Sequence, residues 1–275
     1  MSDTATPLLV RILDRVIEIR GDSDSGTAAI RASYGHLQIP DGIPHLSYSI
    51  EATSSPALRI RRHTEVIPVQ RPEDLLMHFD DDLVVQLQLL RPDLYFQHAA
   101  VVCLDERSYL FPAPRGHGKS TLAWALLQHG LRYSSDELGA IHPTDMAVAP
   151  FSRAICLKSN PPPPYDAPDE PNEGQLPMQV PVSHLDLSPV EKPKPLAAVF
   201  FPRFDPDSGQ PRVREVGTAT AAARIYSNAL NPMAHPGSGL DVAVSIATRV
   251  PCYELVSSQL PATCELILET MSSIS

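Results

Sequence analysis

The stretch Ala113-Pro-Arg-Gly-His-Gly-Lys-Ser-Thr121 decides how this chain is read. It follows Tyr109-Leu-Phe-Pro112, a strand-like run, and precedes a helical pattern from about 119 to 129 that Gly130 stops. Strand, glycine-rich loop and helix in that order are what a phosphate cradle (P-loop) requires. Gly116 and Gly118 let the backbone wrap closely around phosphate oxygens, while the helix start adds free amides and the favourable end of its dipole. Lys119 can reach β- and γ-phosphates, and Ser120 can ligate Mg²⁺. Arg115, His117 and Thr121 complete the candidate ATP- and phosphate-binding set. The motif is a relaxed GxxxxGK[ST], with Ala113 in place of the leading glycine.

Phosphoryl transfer also needs a carboxylate for Mg²⁺ and a group that orients or deprotonates the acceptor. Ser134-Ser-Asp136-Glu137 supplies candidates, 17 and 18 positions after Lys119 and just past the strand-like Gly130-Leu-Arg-Tyr133. One helix and one neighbouring strand would bring that spacing back to the phosphate loop. Upstream, Phe96-Gln-His-Ala-Ala-Val-Val-Cys-Leu104 and the charged turn Asp105-Glu-Arg107 predict a hairpin leading into the loop, with His98 on its first strand.

The stretch from His98 through Glu137 resembles the catalytic core of HPr kinase/phosphorylase, a bacterial serine kinase family whose P-loop fold is related to phosphoenolpyruvate carboxykinase. His98, Lys119 and Asp136 occupy the places of that family's histidine, P-loop lysine and first acid, and Glu137 stands where a second aspartate is usual. The resemblance implies that Asp136 is the general base for a hydroxyl acceptor, that His98 tunes it, and that Ser120 with Asp136 and Glu137 holds Mg²⁺. Pro150-Phe-Ser-Arg-Ala-Ile-Cys-Leu-Lys158, Val199-Phe-Phe-Pro-Arg203 and Pro251-Cys-Tyr-Glu-Leu255 look more like the HPr kinase-related kinases of biosynthetic gene clusters. That wider likeness covers roughly residues 95–271 and makes Lys158 and Arg203 candidates for binding substrate or the transferred phosphate. It implies an α/β fold with a mixed twisted sheet and flanking helices. It also suggests a peptide-carrier protein of such a cluster as a partner; homo-oligomerisation is a fold-level analogy only. The regulatory enzyme's glutamate-and-glycine signature after the second acid is missing here.

The remaining sequence bounds these expectations. The chain has 275 residues, with 22 basic against 32 acidic side chains and a net charge of −10, which suits one large or two modest domains. An acidic chain without a lysine or arginine block argues against nucleic acid as a main partner. The longest apolar runs, such as 99–104 and 196–201, are far shorter than the roughly 20 residues of a spanning helix, so no membrane crossing is expected. Met1-Ser-Asp-Thr-Ala-Thr-Pro7 does not read as a secretory signal, and a cytoplasmic location is expected. Cys103, Cys156, Cys252 and Cys264 are isolated among apolar neighbours and read as buried thiols.

Two regions are predicted: 1–70, small and β-rich without a sustained helical period, and 71–275, the P-loop kinase domain. Residues 8–20 read as a half-buried strand or hairpin, and Pro72 opens a helix that continues to Leu90. Fifteen prolines fall between residues 150 and 211, four of them consecutive at 161–164, which predicts an extended or disordered surface insertion at about 160–178. Thr218 is expected to cap an alanine-rich helix. The leading expectation is an ATP- and Mg²⁺-dependent kinase acting on a hydroxyl, a serine of a peptide or small protein. A nucleotide-binding module without transfer and a small-molecule kinase are the alternatives.

Overall fold

The computed structural model describes residues 6–21, 24–54, 57–168 and 177–274. The chain divides into two units, the first ending at Arg91 and the second beginning at Pro92.

In the first unit, strands β1 (Leu8–Ile12) and β2 (Arg15–Gly21) form the expected hairpin, turned by Leu13 and Asp14 at positive φ. Helix α1 (Asp24–Tyr34) then leads to β3 (Leu46–Ala52), β4 (Leu58–Arg62) and β5 (Glu65–Val69). The five strands make one sheet in the order β1-β2-β3-β4-β5, with only the β2–β3 pair parallel. Helix α2 (Leu75–Leu90) buries Leu76, Phe79, Leu83 and Leu87, the stripe that the three- and four-residue spacing predicts. Phe79 meets Tyr34 and Tyr48 edge-on at 5.7 and 4.9 Å. The two tyrosine hydroxyls donate to Asp80 at 2.6 Å and Asp82 at 2.7 Å.

This arrangement corrects two expectations. Residues 1–70 contain a helix, α1, whose buried positions from Thr27 onward are Thr27, Ile30, Ser33 and Tyr34, too polar a set to show as an apolar period. The boundary falls after Arg91 rather than after residue 70, because α2 supplies core to the N-terminal sheet.

The second unit opens with β6 (Tyr95–Leu104) and β7 (Arg107–Pro112), followed by α3 (Lys119–Leu127), β8 (Arg132–Ser135) and β9 (Leu138–Ile141). Next come β10 (Ala147–Ala149), β11 (Ile155–Leu157), β12 (Met178–Val180) and β13 (Lys194–Phe204). The chain ends with β14 (Arg212–Glu215), α4 (Thr218–Ser227), α5 (Leu240–Arg249), β15 (Cys252–Ser257) and α6 (Leu260–Ser273). The main sheet runs β10-β9-β6-β7-β13-β15-β14, with β8 also on β6; β7, β13 and β15 are parallel and the other pairs antiparallel. This is a mixed α/β architecture.

Alternation along each strand sends side chains to two separate cores. Ala100, Val102, Phe111 and Phe200 pack with α3 and α6, whereas Ala99, Val101, Leu110 and Val199 pack with α4 and α5. Among the described residues no helix is long and apolar enough to cross a membrane. All four cysteines are free; Cys103, Cys252 and Cys264 are buried and Cys156 is half-buried.

The proline-rich segment is anchored where it is described. Tyr165 is 4% exposed, its carbonyl accepts from Trp124 Nε1 at 3.0 Å, and its hydroxyl meets His129 Nε2 at 2.7 Å. The expected loose excursion therefore does not begin at 160; the rest of it, 169–176, lies outside the described residues. Thr218 is the first helical residue of α4 and Gly217 holds the capping position.

Gly239 caps α5 at φ +77°, and a Cβ there would stand 2.9 Å from the Pro232 backbone. Gly239→Ala should cost about 1–2 kcal/mol for the left-handed backbone alone, with the clash adding to it. A drop in the urea midpoint of unfolding, set against a Gly209→Ala control in open space, checks this.

Candidate functional site

Strand β6 changes partner partway along its length. Tyr95 to His98 pair with β9, and Val101 to Cys103 pair with β8. The corner between those two partners is Asp136-Glu137, and the Ala99 amide donates to the Glu137 carbonyl at 3.1 Å. On the other side of β6, Ala99 pairs with Pro112 and the His98 carbonyl accepts from the Ala113 amide at 3.4 Å, where the 113–121 loop begins. Histidine, acid pair and glycine loop therefore converge on residues 98 and 99 because β6 pairs with three segments there.

The loop is held in shape by its own lysine. Gly116 and Gly118 take φ of +87° and +79°, a left-handed backbone that favours glycine. Lys119 is 7% exposed, and its Nζ donates to the carbonyls of Ala113 at 2.7 Å and Pro114 at 3.2 Å. Burial, first, and then Lys158 and Arg115 pull its pKa down to about 8, against Glu137 and Asp136. The first amides of α3 have no acceptor within their own helix and face the loop's end of the dipole. His117 approaches only the Arg115 carbonyl, at 3.4 Å, and Thr121 is half-buried in the first turn.

Asp136 is 2% exposed and enclosed by donors. Its Oδ1 receives Tyr133 Oη at 3.2 Å and faces Arg153 Nη2 at 3.4 Å, while its Oδ2 receives the Cys156 amide at 2.9 Å and Ser120 Oγ at 3.3 Å. Glu137 is more open, with its side chain 30% exposed, and Arg153 Nη2 lies 3.5 Å from its Oε2. Burial raises the Glu137 pKa, opposed by Arg153. His98 Nε2 lies 3.5 Å from Glu137 Oε1. Burial, then Lys119, Arg115 and Lys158, lower the His98 pKa to about 4, so at neutral pH this contact is that of a neutral imidazole and not an ion pair.

The structure thus brings together His98, Lys119, Ser120, Asp136 and Glu137, and the fields of Arg115 and Lys158 reach them. Among the described residues no hydrogen bond or ion pair joins Arg203 to them. Arg203 stands at the carboxyl end of β13, 55% exposed, and pairs with Asp205 at 3.2 Å. The residue that sequence reasoning missed is Arg153. It lies within the same Pro150–Lys158 stretch that drew attention to Lys158, yet nothing local distinguishes an arginine that will be 5% exposed between two acids. The Phe151 amide bond to the Ser134 carbonyl, 2.9 Å, sets that stretch along the acid corner.

Ser120 and Asp136 place a hydroxyl and a carboxylate side by side, hard oxygen donors that suit Mg²⁺, which characteristically takes one or two carboxylates and completes its shell with phosphate and water. No group of three or more His, Cys, Asp or Glu side chains fit to hold a metal occurs among the described residues. No family model and no curated protein matches this chain.

Replacing Arg153 by Gln leaves Asp136 and Glu137 facing each other without their shared cation. Loss of one member of a buried pair costs about 3 kcal/mol or more. Chemical denaturation at pH 7 should show a fall of that order, and an unchanged midpoint would remove Arg153 from this role.

Proposed function

We propose that this protein is an ATP- and Mg²⁺-dependent phosphotransferase with an HPr kinase-like P-loop core, acting on a hydroxyl of a peptide or small protein, with serine as the acceptor residue. The observation that carries the reading is the convergence on β6 of a lysine-bearing glycine loop, a neutral histidine and a pair of acids. A phosphate cradle alone would bind nucleotide; the acid corner beside it supplies what transfer needs.

In this reading the loop amides and Lys119 hold the β- and γ-phosphates, and Arg115 and Lys158 add positive potential at the same place. Ser120 and Asp136 would hold Mg²⁺, which would supply positive charge against the charge that develops during transfer. A carboxylate of the Asp136–Glu137 pair takes the acceptor's proton as its oxygen bonds to the γ-phosphorus and the bond to the bridging oxygen of the leaving ADP breaks. Neutral His98 can hydrogen-bond to that pair without neutralising it. Arg203 has no part in this scheme as its side chain is placed.

A specific observation favours a second reading, a module that binds nucleotide without transferring phosphate. Both Asp136 oxygens already have partners, so the carboxylate must give up a contact before it can take a metal or a proton.

Mass spectrometry separates the two. Peptide and small-molecule pools incubated with Mg²⁺ and ATP carrying a heavy γ-phosphoryl label should yield a labelled adduct. Lys119→Ala and Asp136→Asn should each lower its formation by about 100-fold or more, the usual scale for a general base or a charge-stabilising group. Nucleotide binding that needs Lys119 but gives no adduct would establish the binding module instead, and an adduct on a non-peptide would make this a small-molecule kinase.

The depressed Lys119 pKa sets a pH dependence. The amine is charged below about pH 8 and loses its proton above it, while phosphate ligands favour the charged form. Nucleotide affinity should therefore fall by up to about tenfold per pH unit as pH rises past that value. Calorimetry in buffers of different ionisation enthalpy should show proton uptake on binding there, and the Lys119→Ala variant should show none.

A further inference from the structure

Away from the acid corner, a cavity of about 460 Å³ opens among Arg107, Pro195, Leu196, Ala197, Arg249, Pro251, Tyr253, Ser273 and Ile274. Its walls are the beginnings of β7, β13 and β15 and the last turns of α5 and α6. The 113–121 loop follows the other end of β7, so the two places lie at opposite edges of the parallel strands.

Among the described residues the lining has two arginines and no carboxylate. That is unusual for a chain with 32 acidic and 22 basic side chains, whose other guanidiniums commonly find acids, as in Arg61–Glu51, Arg62–Asp82 and Arg224–Glu254. Among the described residues neither Arg107 nor Arg249 has a carboxylate within salt-bridge distance. Instead, each fixes one guanidinium nitrogen on a main-chain carbonyl: Arg107 Nη1 on Ile274 at 3.1 Å, Arg249 Nη1 on Thr144 at 3.0 Å. Those bonds orient the two planar groups and leave further N–H donors on each fork. Leu196, Ala197, Pro195 and Pro251 give this otherwise polar lining an apolar floor, and the Tyr253 ring is held by stacking on Phe200 at 5.2 Å.

We propose that this cavity is a second binding site, separate from the acid corner, for a small organic dianion: an apolar or aromatic body carrying a phosphate or two carboxylates, gripped by Arg107 and Arg249 across Tyr253. Bidentate guanidinium recognition suits both anion types, and the apolar floor discriminates against inorganic ions, which cannot use it. This assignment does not depend on the function proposed for the acid corner.

The test is calorimetric titration of the full chain with phenyl phosphate, phthalate and inorganic phosphate. Phenyl phosphate or phthalate should bind saturably, and which of them binds tighter identifies the acid group. Arg107→Gln and Arg249→Gln should each weaken that binding at least tenfold, while Lys119→Ala leaves it unchanged. Ala197→Asp, which introduces a carboxylate into the floor, should abolish it. Three outcomes would overturn the site: no saturable binding by either organic probe, binding that survives both arginine replacements, or binding lost with Lys119→Ala. Inorganic phosphate that binds as tightly as phenyl phosphate would overturn the role of the apolar floor and with it the organic-dianion assignment.

Discussion

The second unit depends on one long strand that changes its hydrogen-bonding partner midway. A continuous pair of strands would have carried β8 past β6 with no gap; instead the chain turns between β8 and β9 opposite Ala99, and the turn is Asp136-Glu137. Two carboxylates could not stand together at a buried corner without compensation, because taking charges out of water costs several kcal/mol each. The compensation comes from three directions: Arg153, the Tyr133 hydroxyl and the Cys156 amide. Tyr133 comes from β8, Arg153 and Cys156 from the 150–157 stretch, and Ser120 adds a contact from the start of α3, so the corner ties these three pieces into one electrostatic unit.

Around that corner, charge is arranged by position more than by count. The chain as a whole is acidic, yet Arg115, Lys119, Arg153 and Lys158 gather beside two acids, and burial together with the field of Lys119, Arg115 and Lys158 keeps His98 neutral. Histidine on an apolar strand is commonly a packing residue, but this one is about one-fifth exposed and meets Glu137. A buried lysine whose pKa is pulled down costs the empty protein something that an anionic ligand would return.

Much of the fold was legible because it is written in local periods. The α2 stripe from Leu76 to Leu87, the apolar run of β6, the stop at Gly130 and the buried strand at Leu196–Phe201 all appear where spacing places them. Misreadings occurred where burial does not follow hydrophobicity. Helix α1 buries Thr27 and Ser33 beside Ile30 and Tyr34, and the proline tract is pinned by Tyr165 through partners 36 and 41 positions away. The domain boundary moved for a related reason: a helix announces its own amphipathicity, not which sheet will receive it.

The sequence by itself determined the glycine loop, the lysine and serine that end it, the acid pair downstream and the strand that carries His98, since all of these are patterns within a few turns or strands of one another. Only the tertiary structure decided how they are placed and partnered. It enclosed Asp136 while leaving Glu137 partly open, set Arg153 between them, and turned Arg203 toward Asp205 instead. Those outcomes hang on strand pairing between segments distant in the chain, and a side chain's partners and desolvation exist only once that pairing has been made.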